Sequence, residues 1–370
     1  MSIELDSLLE KIKAPDQAAM DAARAYQATL AKPPESLGRL EALSIQLAGI
    51  TGKVHNQMER THLLVFAADN GVVEEGVSSA PQSVTLQQTI NLTRAKTGAS
   101  TLCRHFGVGI TVCDVGVNAE IHDKAVLNRK IAYGTNNIAK MPAMTREQAI
   151  TAILTGAGVA IHTEADALGV GEMGIGNTTT SAAVLSALTG LGAEETCGRG
   201  GGVNDVGFSK KKEIVDTVSQ PYRSTEFGEA LDSLTDVRNA TLEILATAGG
   251  FDICAMTGLY LSAAQNRLPI VIDGYISAVA ALAAYMMAPD CASYMFASHK
   301  SLEKGYMHAM DRLGLRPFLD LDMRLGEGSG CPIAFEVLRG ACDVMCHMAT
   351  FDEAEINDDY LDEIREGDFF

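Results

Sequence analysis

The sequence predicts an α/β protein built on a doubly wound, mostly parallel sheet. Short apolar runs end in polar loops, Ala-rich helical stretches separate them, and strand follows helix along most of the chain.

Residues 5–50 read as two or three helices broken at Lys32-Pro33-Pro34, because a proline pushes its predecessor out of helical geometry. Residues 62–68 (HLLVFAA) are an apolar run that delivers Asp69-Asn70-Gly71, the pattern of a buried parallel strand with a polar loop at its carboxyl end. Residues 109–117 (GITVCDVGV) repeat it. Thr145-Arg146-Glu147-Gln148 forms a capping box that opens a helix to about residue 167, and a strand follows at 168–171. Further strands are expected at 269–273, 294–297 and 317–321, each leading into a helical stretch. The sheet domain spans 60–330, and the acidic stretch after 352 reads as solvated. In such sheets ligands bind beyond the carboxyl ends of the strands, where strand order reverses, so the polar loops should converge there.

The 370 residues are 47% hydrophobic and 21% charged, the balance of a folded soluble chain. With 47 acidic against 29 basic residues the net charge is −18, a field that repels polyphosphate backbones and argues against a nucleic-acid partner. A small phosphate remains possible, since backbone N–H groups and helix N-termini hold anions whatever the global charge. The opening MSIELDSLLEKIKAPDQ lacks the pattern of a secretory signal, and the apolar stretches at 182–191 and 276–288 are too short and Ala-rich to span a membrane, so a cytoplasmic protein is expected. Eight scattered cysteines lack zinc-site spacing; Cys342, Cys346 and His347 share a stretch of helix but lack an evident fourth ligand. No metal and no cofactor are expected.

Residues 171–180 (GEMGIGNTTT) place a glycine-rich turn after a strand and before an Ala-rich helix, with Asn177 or Thr178 as N-cap. Free N–H groups there suit a phosphate, though the glycines could simply make a tight turn. Glu172 tips the balance towards function, because a carboxylate in such a turn can hold ribose hydroxyls or steady a cationic sugar centre. The spacing is a poor dinucleotide fingerprint. Residues 198–205 (GRGGGVND), with Gly200, Gly201 and Gly202, form a second such loop, followed by Lys210, Lys211 and Lys212 on a helix. They read either as a phosphate site or as a flexible loop beside a solvated lysine run.

Glu327 stands in a GEGSG loop just before a helix opened by Pro332. A carboxylate buried on such bare backbone could act as a general base near neutral pH. Residues 69–85 form a long polar loop fit for a lid or pocket wall.

The segments 32–41 (KPPESLGRLE), 68–85 (ADNGVVEEGVSSAPQSVT), 171–183 (GEMGIGNTTTSAA), 198–205, 298–305 (SHKSLEKG) and 324–341 (RLGEGSGCPIAFEVLRGA), in this order, resemble the nicotinate-nucleotide–dimethylbenzimidazole phosphoribosyltransferase family. The resemblance runs from about residue 30 to 350. It implies a six-stranded Rossmann-like sheet, a smaller helical domain assembled from 1–59 and 331–370, and a homodimer.

The resemblance also implies a reaction: the phosphoribosyl group of nicotinate mononucleotide passes to 5,6-dimethylbenzimidazole or a related lower-ligand base. The products are an α-ribotide and nicotinate, in cobalamin nucleotide-loop assembly. Carried over, Glu327 is the base that takes the azole proton. Glu172, Gly174, Gly176, Asn177 and Thr178 line the ribose phosphate with Gly200, Gly201 and Gly202, and Lys211 meets the phosphate. Asp69, Ser78, Gln82 and Leu325 form the base pocket. Asn70 stands where many relatives carry histidine, which bears on the accepted base. Two other readings are a subunit of a heteromeric relative that activates phenol or p-cresol beside a homologous chain, and a non-catalytic nucleotide-binding module.

Overall fold

The computed structural model describes residues 2–160, 163–223 and 233–361. Three helices come first: α1 (Ile3–Glu10), α2 (Gln17–Thr29) and α3 (Arg39–Thr51). Then follow β1 (Thr61–Ala68), α4 (Ser83–Thr93), α5 (Gly98–Phe106), β2 (Gly109–Gly116), β3 (Val126–Asn128), α6 (Arg146–Ala160) and β4 (Ala167–Met173). The second half holds α7 (Asn177–Thr189), α8 (Ala193–Thr196), α9 (Asp205–Arg223), α10 (Leu234–Ala248) and α11 (Phe251–Gln265). It closes with β5 (Ile270–Ile272), α12 (Tyr275–Met287), β6 (Met295–Ala297), α13 (Tyr306–Leu313) and α14 (Cys331–His347).

The six strands pair in the order β3-β2-β1-β4-β5-β6, every neighbour parallel. β1 and β4 carry almost unbroken apolar or small residues because helices cover both faces and leave no wet side to alternate towards. α11 and α12 are buried nearly all round for the same reason. The main core runs through these helices and the sheet, and also takes Leu5, Leu8 and Leu9 of α1 and Leu43 and Leu47 of α3. A second small cluster, Ala23, Leu30, Ala48 and Met345, joins α2, α3 and α14, and a Leu30–Thr350 bridge ties the two chain ends.

The sheet differs from the expectation at its margins. Residues 317–321 are not a strand: the Phe318 N–H reaches the Ala297 carbonyl at the end of β6 at 3.3 Å, and Leu319 makes one isolated bridge to His299 just beyond it. The sixth strand is β3, three residues inside a loop whose brevity leaves no periodic signal. The capping box at Thr145 and Gln148 forms with both its bonds, but α6 ends at Ala160 rather than near 167. Residues 161–162, and the acidic tail beyond 361, lie outside the described residues. Among the described residues no helix is long and apolar enough to cross a membrane. All the cysteines but Cys346 are buried.

Strand order reverses direction between β1 and β4, so the loops leaving those strands part and open a crevice at the carboxyl edge. The polar loops foreseen from sequence gather around it.

Candidate active site

A cleft of about 310 Å³ opens at this edge. Ser78, Glu172, Gly174, Gly176, Asn177, Thr178, Gly200, Gly201 and Leu325, all foreseen as site residues, line it. Ser79 donates a hydrogen bond to the Gly201 carbonyl at 3.1 Å, so the 69–85 loop and the second glycine loop meet over one side.

One end of the cleft is built for an anion. β4 runs into the turn 174–176 and α7 begins at once, pointing its first N–H groups and positive dipole end at the opening. The cap is Gly176, at φ +95°, and not Asn177 or Thr178 as expected, because the Asn177 amide is already committed to two carboxylates. Lys211, expected at the phosphate, does not itself line the cleft: it is fully buried beneath the turn, and its ammonium donates to Thr178 Oγ1, which does line it, and to the Gly198 carbonyl, both at 2.9 Å. Burial lowers its pKa below the ordinary lysine value. Its neighbours turn outward: Lys210 pairs with Glu213 at 3.3 Å, and Lys212 pairs with Glu194. Gly202 is exposed and stands outside the cleft.

The other end gathers carboxylates. Glu172 at the end of β4 and Asp273 after β5 line the cleft, while Asp252 at the start of α11 and Glu327, the expected base, in the loop before α14 lie behind its lining; all four are buried. Burial, and then the neighbouring Asp252, pushes the Glu172 carboxyl up to about 8, while burial pushes Asp273 up to about 7. These side chains grip the Glu327 loop by its backbone. The Glu327 N–H donates to Glu172 at 3.3 Å, and Gly328 and Gly330 donate to Asp273 at 3.0 and 2.7 Å.

Gly326, Glu327 and Gly328 all take positive φ (+85°, +63° and +87°), a conformation that strains Glu327 and holds only because the surroundings fix it. Gly171 lets the loop lie against β4, since a Cβ there would collide with the Glu327 carbonyl. The Glu327 carboxylate accepts the Ala99 N–H at 3.1 Å from the start of α5, behind Leu325.

Two expected pocket residues stand elsewhere. Asp69 is buried behind the cleft, where its backbone N–H reaches Gly116 and its carboxylate accepts from Asn118 at 2.8 Å, so β2 draws it away. Gln82, just before α4, faces a separate hollow with Gly71, Glu74 and Asn118. Asp252, Asp273 and His299, by contrast, were not singled out from sequence. Asp273 ends the run PIVID as Asp69 ends its own strand, so the same strand-end signal could have found it. His299 lies buried in the cleft wall, where desolvation lowers its pKa to about 4 and keeps its ring neutral. Among the described residues no three His, Cys, Asp or Glu side chains group as metal ligands.

A family model described as phosphoribosyltransferase matches residues 12–356. The chain is 46% identical over 365 residues, 98% of each protein, to a nicotinate-nucleotide–dimethylbenzimidazole phosphoribosyltransferase of Clostridium perfringens. It is 42% identical over 348 residues to the enzyme of that name in Chloroflexus aggregans, covering 93% of this chain and 95% of that one. The crystal structure of CobT from Thermus thermophilus superimposes with a TM-score of 0.85 at 39% identity, covering 92% of this chain and 99% of that one.

Proposed function

The chain belongs to the nicotinate-nucleotide–dimethylbenzimidazole phosphoribosyltransferase family, and from that premise we propose how its cleft makes an α-ribotide. It is a pentosyltransferase: the phosphoribosyl group of nicotinate mononucleotide moves to a nitrogen of 5,6-dimethylbenzimidazole or a related lower-ligand base. Nicotinate leaves, and the ribotide serves cobalamin nucleotide-loop assembly.

Nicotinate joined through its ring nitrogen is already cationic, so its departure needs no general acid. Attack from the opposite face turns the β linkage into α. What the protein must supply is position, charge stabilisation and a base.

The α7 N-terminus and Lys211 hold the phosphate, with Thr178 carrying the lysine's hydrogen bond to the rim. Gly174, Gly176, Gly200 and Gly201 give backbone close access to it. Glu172, ionised as the sugar becomes cationic, faces C1, while Ser78 and Leu325 flank the incoming base. Glu327 takes the proton from the azole nitrogen as its partner nitrogen attacks. The observation that carries this reading is a buried Glu327 held at positive φ by two other carboxylates, beside the phosphate loop. Strained backbone of that kind persists where a site needs it.

We also propose a cytoplasmic homodimer, and a smaller domain formed by 1–59 with 331–370; the small cluster of Ala23, Leu30, Ala48 and Met345 joins the two chain ends, while Leu5, Leu43 and Phe335 anchor them to the main core.

The test is nicotinate release by the purified chain, offered dimethylbenzimidazole, adenine or phenol, with Glu327→Gln alongside. Base-dependent release should fall about 10²- to 10⁴-fold in the variant. Unaltered turnover would remove Glu327 from the mechanism, and release with phenol alone would change the acceptor.

A further inference from the structure

We infer that Asp252 is a positioning residue for the transfer: through the Asn177 side-chain amide it fixes the Glu172 carboxylate, and through Glu172 the backbone of Glu327. The inference rests on the reading of Glu172 at the sugar and Glu327 as base.

Asp252 is fully buried at the start of α11, and the bonds it makes go to an N–H and an amide rather than to a cation. One carboxylate oxygen accepts the Ile253 N–H at 3.0 Å, a bond inside its own helix turn. The other accepts Asn177 Nδ2 at 3.1 Å. That same nitrogen donates to Glu172 Oε2. A carboxamide nitrogen carries two hydrogens, so each goes to one carboxylate and the amide is left with a single orientation. Glu172 Oε1 is then free to accept the Glu327 N–H at 3.3 Å.

The surroundings leave room for this chain of bonds. A Cβ at Gly174 would stand 3.0 Å from Asp252 Oδ2, and one at Gly250 would collide with Asp252 Oδ1. Two bare backbones thus face the carboxylate, and one of them belongs to the phosphate turn itself.

Asp252 also acts through charge. Glu172 is faced by Asp252 from α11, Asp273 from β5, the Glu327 backbone from the loop before α14 and the Asn177 amide from α7, while Asp69 at the end of β1 faces Asp252. Asp252 raises the Glu172 pKa and the Asn177 amide lowers it. Removing one or the other therefore moves the ionisation of Glu172 in opposite directions, which a residue that merely fills space would not do.

The experiment measures kcat/KM for nicotinate mononucleotide against pH for the whole enzyme and for Asp252→Asn and Asn177→Ala, with Glu172→Gln and Glu327→Gln as references. In Asp252→Asn the acidic limb should move down by about one pH unit, since Glu172 ionises more readily without a like charge beside it. In Asn177→Ala the limb should move up by a similar amount. Both should lose kcat more than they change KM. An unchanged limb in both variants would overturn the inference, leaving Asp252 a structural residue. Should Asp252→Asn not fold, Asp252→Glu, which keeps the charge but moves the carboxylate away from Asn177 Nδ2, decides in its place: an unchanged limb and parental kcat there would overturn the inference. Full activity in both Glu172→Gln and Glu327→Gln would instead sink the underlying reading of the site.

Discussion

The two ends of the cleft use burial with opposite sign. At the phosphate end one lysine is driven inside and hydrogen-bonded only to neutral partners, the Thr178 hydroxyl and the Gly198 carbonyl. At the acceptor end four carboxylates are driven inside and given mostly backbone N–H groups and one amide. A buried charge with neutral partners is costly to keep, so burial lowers the lysine's pKa and pushes Glu172 and Asp273 up to about 8 and 7. In the proposed reading the cleft binds an anion at one end and steadies a cationic sugar at the other, in a chain whose overall charge is −18. Local placement decides what binds, and the surface charge does not.

The sharpest way to break the contrast is to remove the lysine at the phosphate end. Lys211→Met should lower kcat/KM for nicotinate mononucleotide about 10- to 100-fold, chiefly through KM, because a charged hydrogen bond to the phosphate contributes about 1.5–3 kcal/mol. The KM for the acceptor base should hardly move. Lys212→Met, one residue away but turned to Glu194 at the surface, should stay within about twofold of the parent. Steady-state kinetics with each substrate varied checks both, and equal losses in the two variants would dissolve the distinction between the ends.

A second test asks whether the acceptor end is held by fit as well as by charge. Gly326 and Gly202 both sit at positive φ, +85° and +103°. A Cβ at Gly326 would run into the Glu172 carboxylate, whereas one at Gly202 would meet nothing within 4 Å. Gly202→Ala should cost about 1 kcal/mol of backbone strain alone. Gly326→Ala should cost about 1–3 kcal/mol and also displace Glu172, so that turnover falls with stability. Thermal unfolding and kcat, measured on the same two variants, separate strain from displacement.

The difference between the ends also explains what the sequence made legible. β1, β2 and β4, and the glycine turns that follow strand ends, stood out because a fully covered parallel strand must be apolar and its loop must be polar. Lys211 could not be told from Lys210 and Lys212 by composition; only the helix face turned inward decides it. Residues 317–321 were apolar enough for a strand, yet they lie beside His299 with one bridge, while β3 pairs three residues on the outer edge of β2. Asp252 carried no signal at all, because a helix start after two glycines usually means a cap. Tertiary neighbours, brought from α7 and β4, give it its partners.

The smallest expected effect lies in the pH dependence of stability, and it too should differ in sign between the ends. Burial lifts Glu172 from the usual 4.5 to about 8 and Asp273 from 3.8 to about 7 in the folded chain. Between about pH 4.5 and 8 the folded chain holds protons that the unfolded chain has released, so these groups lower stability as pH rises across that window. Lys211 is shifted down from 10.5, so just below that value the unfolded chain binds more protons and stability rises with pH. Glu172→Gln should flatten the fall in Tm between about pH 5 and 8 and leave the alkaline side as it was. Lys211→Met should remove the alkaline rise and leave the neutral fall intact. If both variants changed the same limb, the two ends would not be electrostatically separate, and the phosphate lysine and the acceptor carboxylates would have to be treated as one coupled network.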